Sequence, residues 1–386
     1  MRDVDLKQFE FKGREHEAIT GLDTLDKADQ EQLLMAGVVS DESNRSASYL
    51  QMDHSAVHCR SHNDAVEIMD IKDALKKYDG LKDYFWTLVD KDKDDYTRSA
   101  AENLHGGYFI RVKAGAKVEQ PIQSCLMLKS EQVGQNVHNI VIIEEGAEAH
   151  IITGCSVAHG TQGGAHLGIS EFFVEKNASL TFTMVHNWSD NVAVRPRSAG
   201  IVKEGGKFLS NYVLLKPVRD LQMYPSIRMV GEDSVARFNS VIVAPEDSYL
   251  DMGNRVIMEA PNTRCEIIAR TISTGGTIIN RGHIGAHAVP AKGHLECQGL
   301  ILGNGRIHAI PELDGSLEGV ELSHEASVGK IAQEEIEYLM ARGLDEDEAT
   351  STIVRGFLNT DIMGLPDVLT KAIDKQIEEL QASGAM

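Results

Sequence analysis

The chain has 386 residues, a length typical of two or three domains. It carries 38 basic and 58 acidic side chains, so its formal net charge is −20, and this argues against a nucleic-acid-binding surface, which needs a basic face. No stretch approaches the ~18 apolar residues of a membrane helix, and the charged start has no apolar signal region. We therefore expect a cytoplasmic protein that binds neither nucleic acid nor membrane.

The cysteines also indicate a reducing compartment. There are five of them, they are widely spaced, and none forms a CxxC pair. An odd number without paired spacing argues against a secreted disulfide framework and against a zinc ribbon. The five are Cys59, Cys125, Cys155, Cys265 and Cys297.

Charge divides the chain into three parts. Residues 1–105 have a net charge of −9, residues 106–311 of +1 and residues 312–386 of −12. The middle is rich in glycine and β-branched residues, whereas the ends have helical patterns. We predict an N-terminal helical or mixed region over 1–105, a β core over 106–318 and a C-terminal helical region over 319–386.

Helices are predicted at both ends from apolar periodicity and end signals. The clearest signal is the acidic pair Asp345 and Glu348, which has the spacing of a capping box at a helix start. Pro366 suits the first turn of a last helix, whose apolar stripe is Leu369, Ile373, Ile377 and Leu380. The other predicted helices span 29–37, 65–78, 332–342 and 345–358.

Short apolar runs of strand length fill the middle, and turn residues recur between them at intervals of 28–31 or 13–15 residues. A constant length of turn plus strand without a repeated motif is typical of a β-solenoid. An irregular β-sandwich is the alternative, because regularly spaced turns mark that fold too. The predicted turns are at Gly115, Gly146, Asn177, Gly205, Asp233, Asp247, Asn262, Gly276, Ala291 and Asn304.

The sequence has no nucleotide-binding loop. Gly329-Lys330 lacks the glycine five residues upstream that a phosphate-cradling loop requires, and no GxGxxG or GxSxG motif is present. If the protein uses ATP, another chain must bind it.

Cys297 is the first candidate for chemistry. Strand alternation puts Leu295, Cys297 and Gly299 on one face, so a buried core thiol is one interpretation. His324 and Glu325 follow about 28 positions later, and solenoid coils can stack residues at that separation. A thiol, an imidazole and a carboxylate could then meet.

The other cysteines fit structural roles more simply. Cys155 follows a buried-looking strand, and Cys125 and Cys265 are interpreted as structural. His54, His58 and His62 surround Cys59 at spacings of four, which on a helix would suit a metal site. The neighbourhood looks extended and charged, so a solvated strand and loop is the favoured interpretation.

Several segments resemble the SufB/SufD family of iron–sulfur cluster assembly scaffold proteins, over about residues 80–386. The resemblance implies a right-handed parallel β-helix between N- and C-terminal helical regions. The segments are 102–110, 117–122, 185–188 (Val-His-Asn-Trp), 260–263 (Ala-Pro-Asn-Thr), 281–282, 324–327, 342–344 and 353–357.

The resemblance also implies a function. Family members build clusters from persulfide sulfur supplied by a cysteine desulfurase and work with SufC, an ABC-type ATPase that docks on the C-terminal helices. By this resemblance Cys297 is the cluster ligand and sulfur acceptor, Glu325 the essential carboxylate with His324 beside it, and Cys155 the point of sulfur entry. The chain itself would be no enzyme. Its expected cargo is a transient iron–sulfur cluster of the [4Fe–4S] type, and the sequence gives no indication of a flavin.

SufD paralogues tend to lack the cysteine and to carry glycine at the position of Glu325, so the chain looks like a SufB-type scaffold. Its expected partners are SufC, an identical or related second subunit in a dimer, the desulfurase and recipient apoproteins. One alternative is a SufD-like structural subunit without cluster chemistry. Another is a β-helix enzyme for acidic polysaccharides, which would need a secretion signal and basic, aromatic-lined grooves that the sequence lacks.

Overall fold

Two long β-sheets form most of the structure. The structure is a computed structural model and describes residues 3–216, 218–358 and 371. Strand accounts for 49% and helix for 16%. The strands are β1 (Ala47–Met52), β2 (Ser55–Ser61), β3 (Val66–Asp70), β4 (Tyr108–Val112), β5 (Ile122–Leu128), β6 (Val133–Ile143), β7 (Glu148–Val157), β8 (Gly163–Val174), β9 (Ser179–Asn187), β10 (Asn191–Val194), β11 (Arg197–Val202), β12 (Lys207–Leu214), β13 (Asp220–Met223), β14 (Ser226–Met229), β15 (Val235–Ala244), β16 (Tyr249–Met258), β17 (Thr263–Ser273), β18 (Thr277–Ala286), β19 (Ala291–Ile301), β20 (Arg306–Gly315) and β21 (Val320–Gly329).

From β4 onward the chain alternates between the two sheets, except that β10 and β11, and likewise β13 and β14, follow one another in the 11-stranded sheet. The strands of successive coils pair in parallel. The 10-stranded sheet runs in the order β2, β1, β5, β7, β9, β12, β15, β17, β19, β21, and the 11-stranded sheet contains the others. The result is a β-solenoid of about eight turns. This confirms the predicted β-helix and excludes the sandwich, whose sheets are antiparallel.

Turns with left-handed backbone close the coils. Seven of the predicted turn residues have positive φ angles: Gly115, Gly146, Asn177, Gly205, Asp233, Asp247 and Asn262. Glycine, asparagine and aspartate tolerate this region best, which is why the turns could be predicted. Gly276 and Asn304 also lie between strands as predicted, although the left-handed residue of the second of these turns is Gly303. The position Ala291 was wrong, because Ala291 begins β19.

Inward-facing side chains fill the space between the sheets. In β19, Leu295 and Cys297 are buried, whereas Glu296 between them is partly exposed. Because the pairing keeps coils in register, inward positions stack in columns, as Phe182, Ser210 and Phe238 do on three successive strands. A residue's position in its strand therefore decides which side chains it meets in the next coil.

The N-terminal segment contributes strands as well as helices. Its helices are α1 (Lys27–Met35), α2 (Ile71–Lys77) and α3 (Asp95–Glu102), and α1 confirms the helix predicted at 29–37. The helix predicted over 65–78 was wrong in its first half, which is β3. Val66 and Ile68 are buried on alternate positions of this strand, and Asp70 caps α2 by accepting a hydrogen bond from the Lys72 backbone N–H. The strands β1 and β3 extend the two sheets of the solenoid.

The C-terminal segment begins with a strand. β21 lies within 319–386, where a helical region was expected, and the helices α4 (Gln333–Met340) and α5 (Glu346–Phe357) follow it. The predicted capping box is confirmed: Asp345 accepts from the Glu348 backbone N–H, and Glu348 accepts from the Asp345 backbone N–H. The last predicted helix, with Leu369, Ile373, Ile377 and Leu380, lies outside the described residues.

Apolar packing fixes α5 on the outer face of the 10-stranded sheet. Val354 and Leu358 are buried against an outward-facing group that includes Val213 and Val241. Among the described residues, no helix combines the length and apolar character needed to cross a bilayer.

Candidate functional site

Cys297 lies in the middle of β19, inside the solenoid, with 2% of its surface exposed. Burial, together with the charge of Glu296, raises the pKa of this thiol to about 11. The nucleophilic and metal-binding form of cysteine is the thiolate. In the isolated chain near neutral pH, Cys297 is therefore a protonated and enclosed thiol.

The pairing of β19 with β21 decides which residues Cys297 meets. Cys297 lies opposite Ala326, Leu295 opposite His324, and Glu296 opposite Glu325. Since side chains alternate between the two faces of a strand, His324 and Ala326 share the inner face with Cys297. Glu325 belongs to the outer face, beside Glu296.

The structure thus brings the three predicted ligands onto adjacent strands without joining them at one point. Among the described residues, no group of three or more histidine, cysteine, aspartate or glutamate side chains could hold a metal ion. Glu296 is paired with Arg270, whereas neither His324 nor Glu325 makes a hydrogen bond or ion pair with any described residue. Both side chains are exposed and available to other groups.

The surroundings of His324 and Glu325 are the open end of the solenoid. β20 and β21 are the last strands of their sheets, and most residues of β21 are exposed. Inward-facing Ile307, Leu313 and Leu322 only partly cover the core beneath them. Unpaired strand edges with half-exposed apolar residues are suited to contact with another chain.

Cys155 lies far from this end, in β7 and fully buried. Its Sγ contacts Met184 Sδ at 3.7 Å, and burial raises the pKa of its thiol well above the ordinary value. Five strand spacings separate β7 from β19 in the 10-stranded sheet. At ~4.8 Å per spacing the two cysteines are about 24 Å apart along the axis.

An aromatic cavity occupies the coils between the two cysteines. It measures about 60 Å³ and is lined by Met184, His186 and Tyr212, with Phe182 and Phe208 among its apolar walls. The Tyr212 hydroxyl lies 2.9 Å from His186 Nδ1. The sequence reasoning missed this cavity. The recurrence of phenylalanine at about one-coil intervals was the available signal.

Cys125 and Cys265 are buried, in agreement with a structural role. Burial raises the pKa of both thiols above the ordinary value. Neither lies near an exposed carboxylate or imidazole on the inner face. Cys265 is useful as a reference, because it occupies the inner face of β17 next to the strand of Cys297.

The histidine cluster around Cys59 is divided between different partners. His58 Nε2 lies 2.9 Å from Glu42 Oε1, while the His54 ring stacks on His105 at 3.7 Å. Cys59 Sγ lies 3.3 Å from the Ile68 carbonyl, and burial raises its pKa to about 12. The segment is a strand with its flanking turn, as the favoured interpretation had it, but the expected solvation was wrong for His54 and His58, which are buried.

Comparison with known proteins identifies the family. Residues 126–357 match the family model described as "SUF system FeS cluster assembly, SufBD core domain". The chain belongs to the SufBD family. The matched range includes Cys155, Cys297 and Glu325.

Curated SufBD relatives match nearly the whole chain. An "Iron-sulfur cluster assembly SufBD family protein" of Archaeoglobus fulgidus is 54% identical over 351 residues, which cover 91% of this chain and 94% of the relative. One from Methanothermobacter thermautotrophicus is 44% identical over 383 residues, 97% of this chain and 93% of the relative. One from Staphylococcus haemolyticus is 32% identical over 308 residues, which cover 77% of this chain and 65% of the relative. Like its relatives, the chain is a protein of SUF iron–sulfur cluster assembly.

Proposed function

We propose that this SufBD protein is the scaffold subunit on which a nascent iron–sulfur cluster is built and from which it passes to apoproteins. The observation that carries the proposal is the position of Cys297, enclosed by only one further strand at the open end of the solenoid. That strand carries the exposed and unpaired His324 and Glu325. A thiol, an imidazole and a carboxylate are thus one strand apart at a surface able to receive a second subunit.

Sulfur enters at Cys155 in this proposal. A cysteine desulfurase presents its persulfide, the Cys155 thiolate attacks the outer sulfur, and the desulfurase thiolate leaves. Because Cys155 is fully buried and its thiol pKa is raised, this transfer requires the chain to open around β7. Because the two cysteines are about 24 Å apart, a small carrier thiolate attacks the outer sulfur of the Cys155 persulfide, and the Cys155 thiolate leaves. The Cys297 thiolate then takes this sulfur from the carrier persulfide by the same exchange. A two-electron reductant from outside this chain converts the persulfide sulfur to the sulfide of the cluster.

The cluster forms at the open end as cargo. Thiolate is a good ligand for the iron of an iron–sulfur cluster, and His324 and Glu325 supply nitrogen and oxygen ligands. A [4Fe–4S] cluster needs more ligands than one thiolate, and a second SufB- or SufD-type subunit packed on β20 and β21 would provide them. A site with so few thiolates holds its cluster weakly, which suits a scaffold that must release it.

A SufC-type ATPase supplies the driving force, since this chain has no nucleotide-binding loop and is not itself the enzyme. Its docking site is the acidic C-terminal region that contains α4 and α5. When two ATPase subunits close on ATP, they pull these helices together and open the subunit interface. Cys297 and Glu325 become accessible, and the thiol loses the burial that keeps it protonated. We place the complex in the cytoplasm, in keeping with five unpaired cysteines.

The test is the anaerobic visible spectrum of the protein co-purified with its ATPase partner, with counts of iron and acid-labile sulfide. The wild type is compared with Cys297→Ala and Glu325→Gln. Cys265→Ala is the matched control, because it removes a buried inner-face thiol from the neighbouring strand. The proposal requires a cluster that both site variants lose and the control keeps.

A SufD-like structural subunit is the second candidate. The observation in its favour is that Cys297 is enclosed and protonated in the isolated chain. In that case Cys297→Ala and Glu325→Ala would leave assembly unaffected, and the wild type would hold no cluster after reconstitution with a desulfurase. A cluster that survives both substitutions would place the ligands elsewhere in the chain.

A further inference from the structure

A second group of polar side chains lies on the outer face of the 11-stranded sheet. Ser226, Arg255, His283 and Glu312 are in register on the successive strands β14, β16, β18 and β20. The alternate positions of these strands fill the core, so this column faces outward. Tyr224 lies two residues before Ser226, in the break between β13 and β14.

Two buried polar atoms of this group have no hydrogen-bond partner among the described residues: the Tyr224 hydroxyl oxygen and His283 Nε2. Burial raises the pKa of Tyr224 to about 12, so the phenol keeps its proton and remains a donor. Burial and the charge of Arg255 lower the pKa of His283, so its imidazole is neutral and donates from Nε2 in one tautomer. Buried donors normally have acceptors, so both groups are available to a ligand that supplies acceptor oxygens.

Two exposed cations belong to the same region, Arg255 and Lys93, and neither side chain makes a hydrogen bond or ion pair within the described residues. Lys93 is brought there by its neighbour Asp94, whose Oδ2 lies 2.6 Å from Arg197 Nε. Arg197 Nη2 in turn lies 2.8 Å from the side-chain oxygen of Gln222, two residues before Tyr224. In agreement, burial and the charges of Arg197 and Arg255 lower the pKa of Lys93. By contrast, Arg281 beside them is held by Asp251, with its Nε 2.6 Å from Oδ1.

Arg255 is the centre of the group. It acts electrostatically on Lys93, Tyr224 and His283, three residues from distant parts of the sequence. Its backbone N–H is fixed by the Pro225 carbonyl at 2.9 Å. Three other donor groups, on Lys93, Tyr224 and His283, thus surround the outward-facing guanidinium of Arg255, and Glu312 is the only carboxylate of the column.

We propose that Arg255, Lys93, Tyr224 and His283 form a binding site for an oxyanion, namely the phosphate or carboxylate group of a small molecule. Such a group has several acceptor oxygens, and arginine binds two of them in parallel. The phenol and imidazole donate to the others. Glu312 repels the ligand and sets the affinity. The site is separate from Cys297, which lies inside the solenoid on the other sheet.

The test is equilibrium dialysis of the full chain with inorganic phosphate at low salt. Arg255→Ala should weaken phosphate binding by about tenfold or more and Tyr224→Phe by about threefold, because charged donors contribute more than neutral ones. Glu312→Gln should strengthen binding, because it removes the repelling charge. Arg237→Ala removes a partly exposed arginine of the other sheet and should change nothing.

Weaker phosphate binding by Arg255→Ala together with stronger binding by Glu312→Gln would support the site. Stronger binding could not result from unfolding of the Glu312→Gln variant. Arg255→Lys, which keeps the charge, should retain part of the affinity. Competition by succinate distinguishes the sources: displacement of phosphate shows that carboxylates enter, and failure to displace restricts the site to phosphate groups. If wild type and Arg255→Ala bind phosphate equally, or Glu312→Gln weakens binding, the proposal is wrong.

Discussion

Cys155 and Cys297 are both buried, but they differ in the number of strands that cover them. Cys155 lies in β7, between β5 and β9, with several further strands on the β9 side. Cys297 lies in β19, and on one side only the terminal strand β21 covers it. Both thiols are almost inaccessible, yet exposing Cys297 requires the displacement of a single strand with mostly exposed side chains.

The outer faces of the two coils differ as well. Gly154, next to Cys155, packs against the C-terminal end of α1, so that a β-carbon there would lie 2.5 Å from the Ala36 carbonyl oxygen. Beside Cys297, the outward Glu296 forms an ion pair with Arg270 and stays partly exposed. The comparison indicates that two equally buried thiols can differ in the free energy needed to expose them, and that the end coil opens at the lower cost.

Truncation of one leucine in each coil gives the largest expected effect. Leu126 is 1% exposed and in register with Cys155, so Leu126→Ala should lower the free energy of unfolding by about 3 to 5 kcal/mol. Leu322 in β21 is only partly buried, and Leu322→Ala should cost about 1 kcal/mol. Denaturant unfolding followed by circular dichroism measures both. Equal losses would contradict the difference between the coils.

Glycine substitutions test the outer faces on a smaller scale. Gly154→Ala should destabilise the protein by about 1 to 3 kcal/mol, because α1 must shift to admit the new methyl group. Gly329→Ala at the end of β21 meets no atom within 4 Å and should change stability by less than about 0.5 kcal/mol. Thermal unfolding of the two variants checks this. A neutral Gly154→Ala would show that α1 does not seal the coil.

Alkaline pH separates Cys297 from other buried thiols. Burial raises its pKa from 9.0 to about 11, so the stability that its protonated form contributes is complete below pH 9 and is lost as pH rises towards 11. The difference in the free energy of unfolding between wild type and Cys297→Ala should become constant above about pH 11. The corresponding difference for Cys265→Ala should continue to change, since burial raises that pKa further. Identical profiles would contradict the weaker enclosure of Cys297.

Much of the fold could be predicted from the sequence, because local chemistry determines the relevant features. Turn residues such as Asn177 and Asp233 mark left-handed corners, and Asp345 with Glu348 marks a helix start. The error at Val66–Asp70 has a physical cause: its apolar residues fit both a strand and a helix, and pairing with β4 decided the outcome. Such pairing is not local information.

The site was less predictable, since it depends on register. Sequence spacing correctly suggested that Cys297, His324 and Glu325 lie in neighbouring coils. It could not show that Glu325 belongs to the opposite face, which follows from the pairing of Cys297 with Ala326. The group around Arg255 was missed for the same reason: its members are far apart in the sequence and meet only through the alignment of coils.

The most direct test of the central claim is thiol labelling of the complex with its ATPase partner, read by peptide mass spectrometry with and without ATP. Cys155 in the same sample is the internal reference. The account predicts that ATP increases the labelling rate of Cys297 by about 100-fold, the equivalent of about 3 kcal/mol in opening energy, while Cys155 stays protected. Labelling of Cys297 that is indifferent to ATP, or that rises equally at both cysteines, would contradict it.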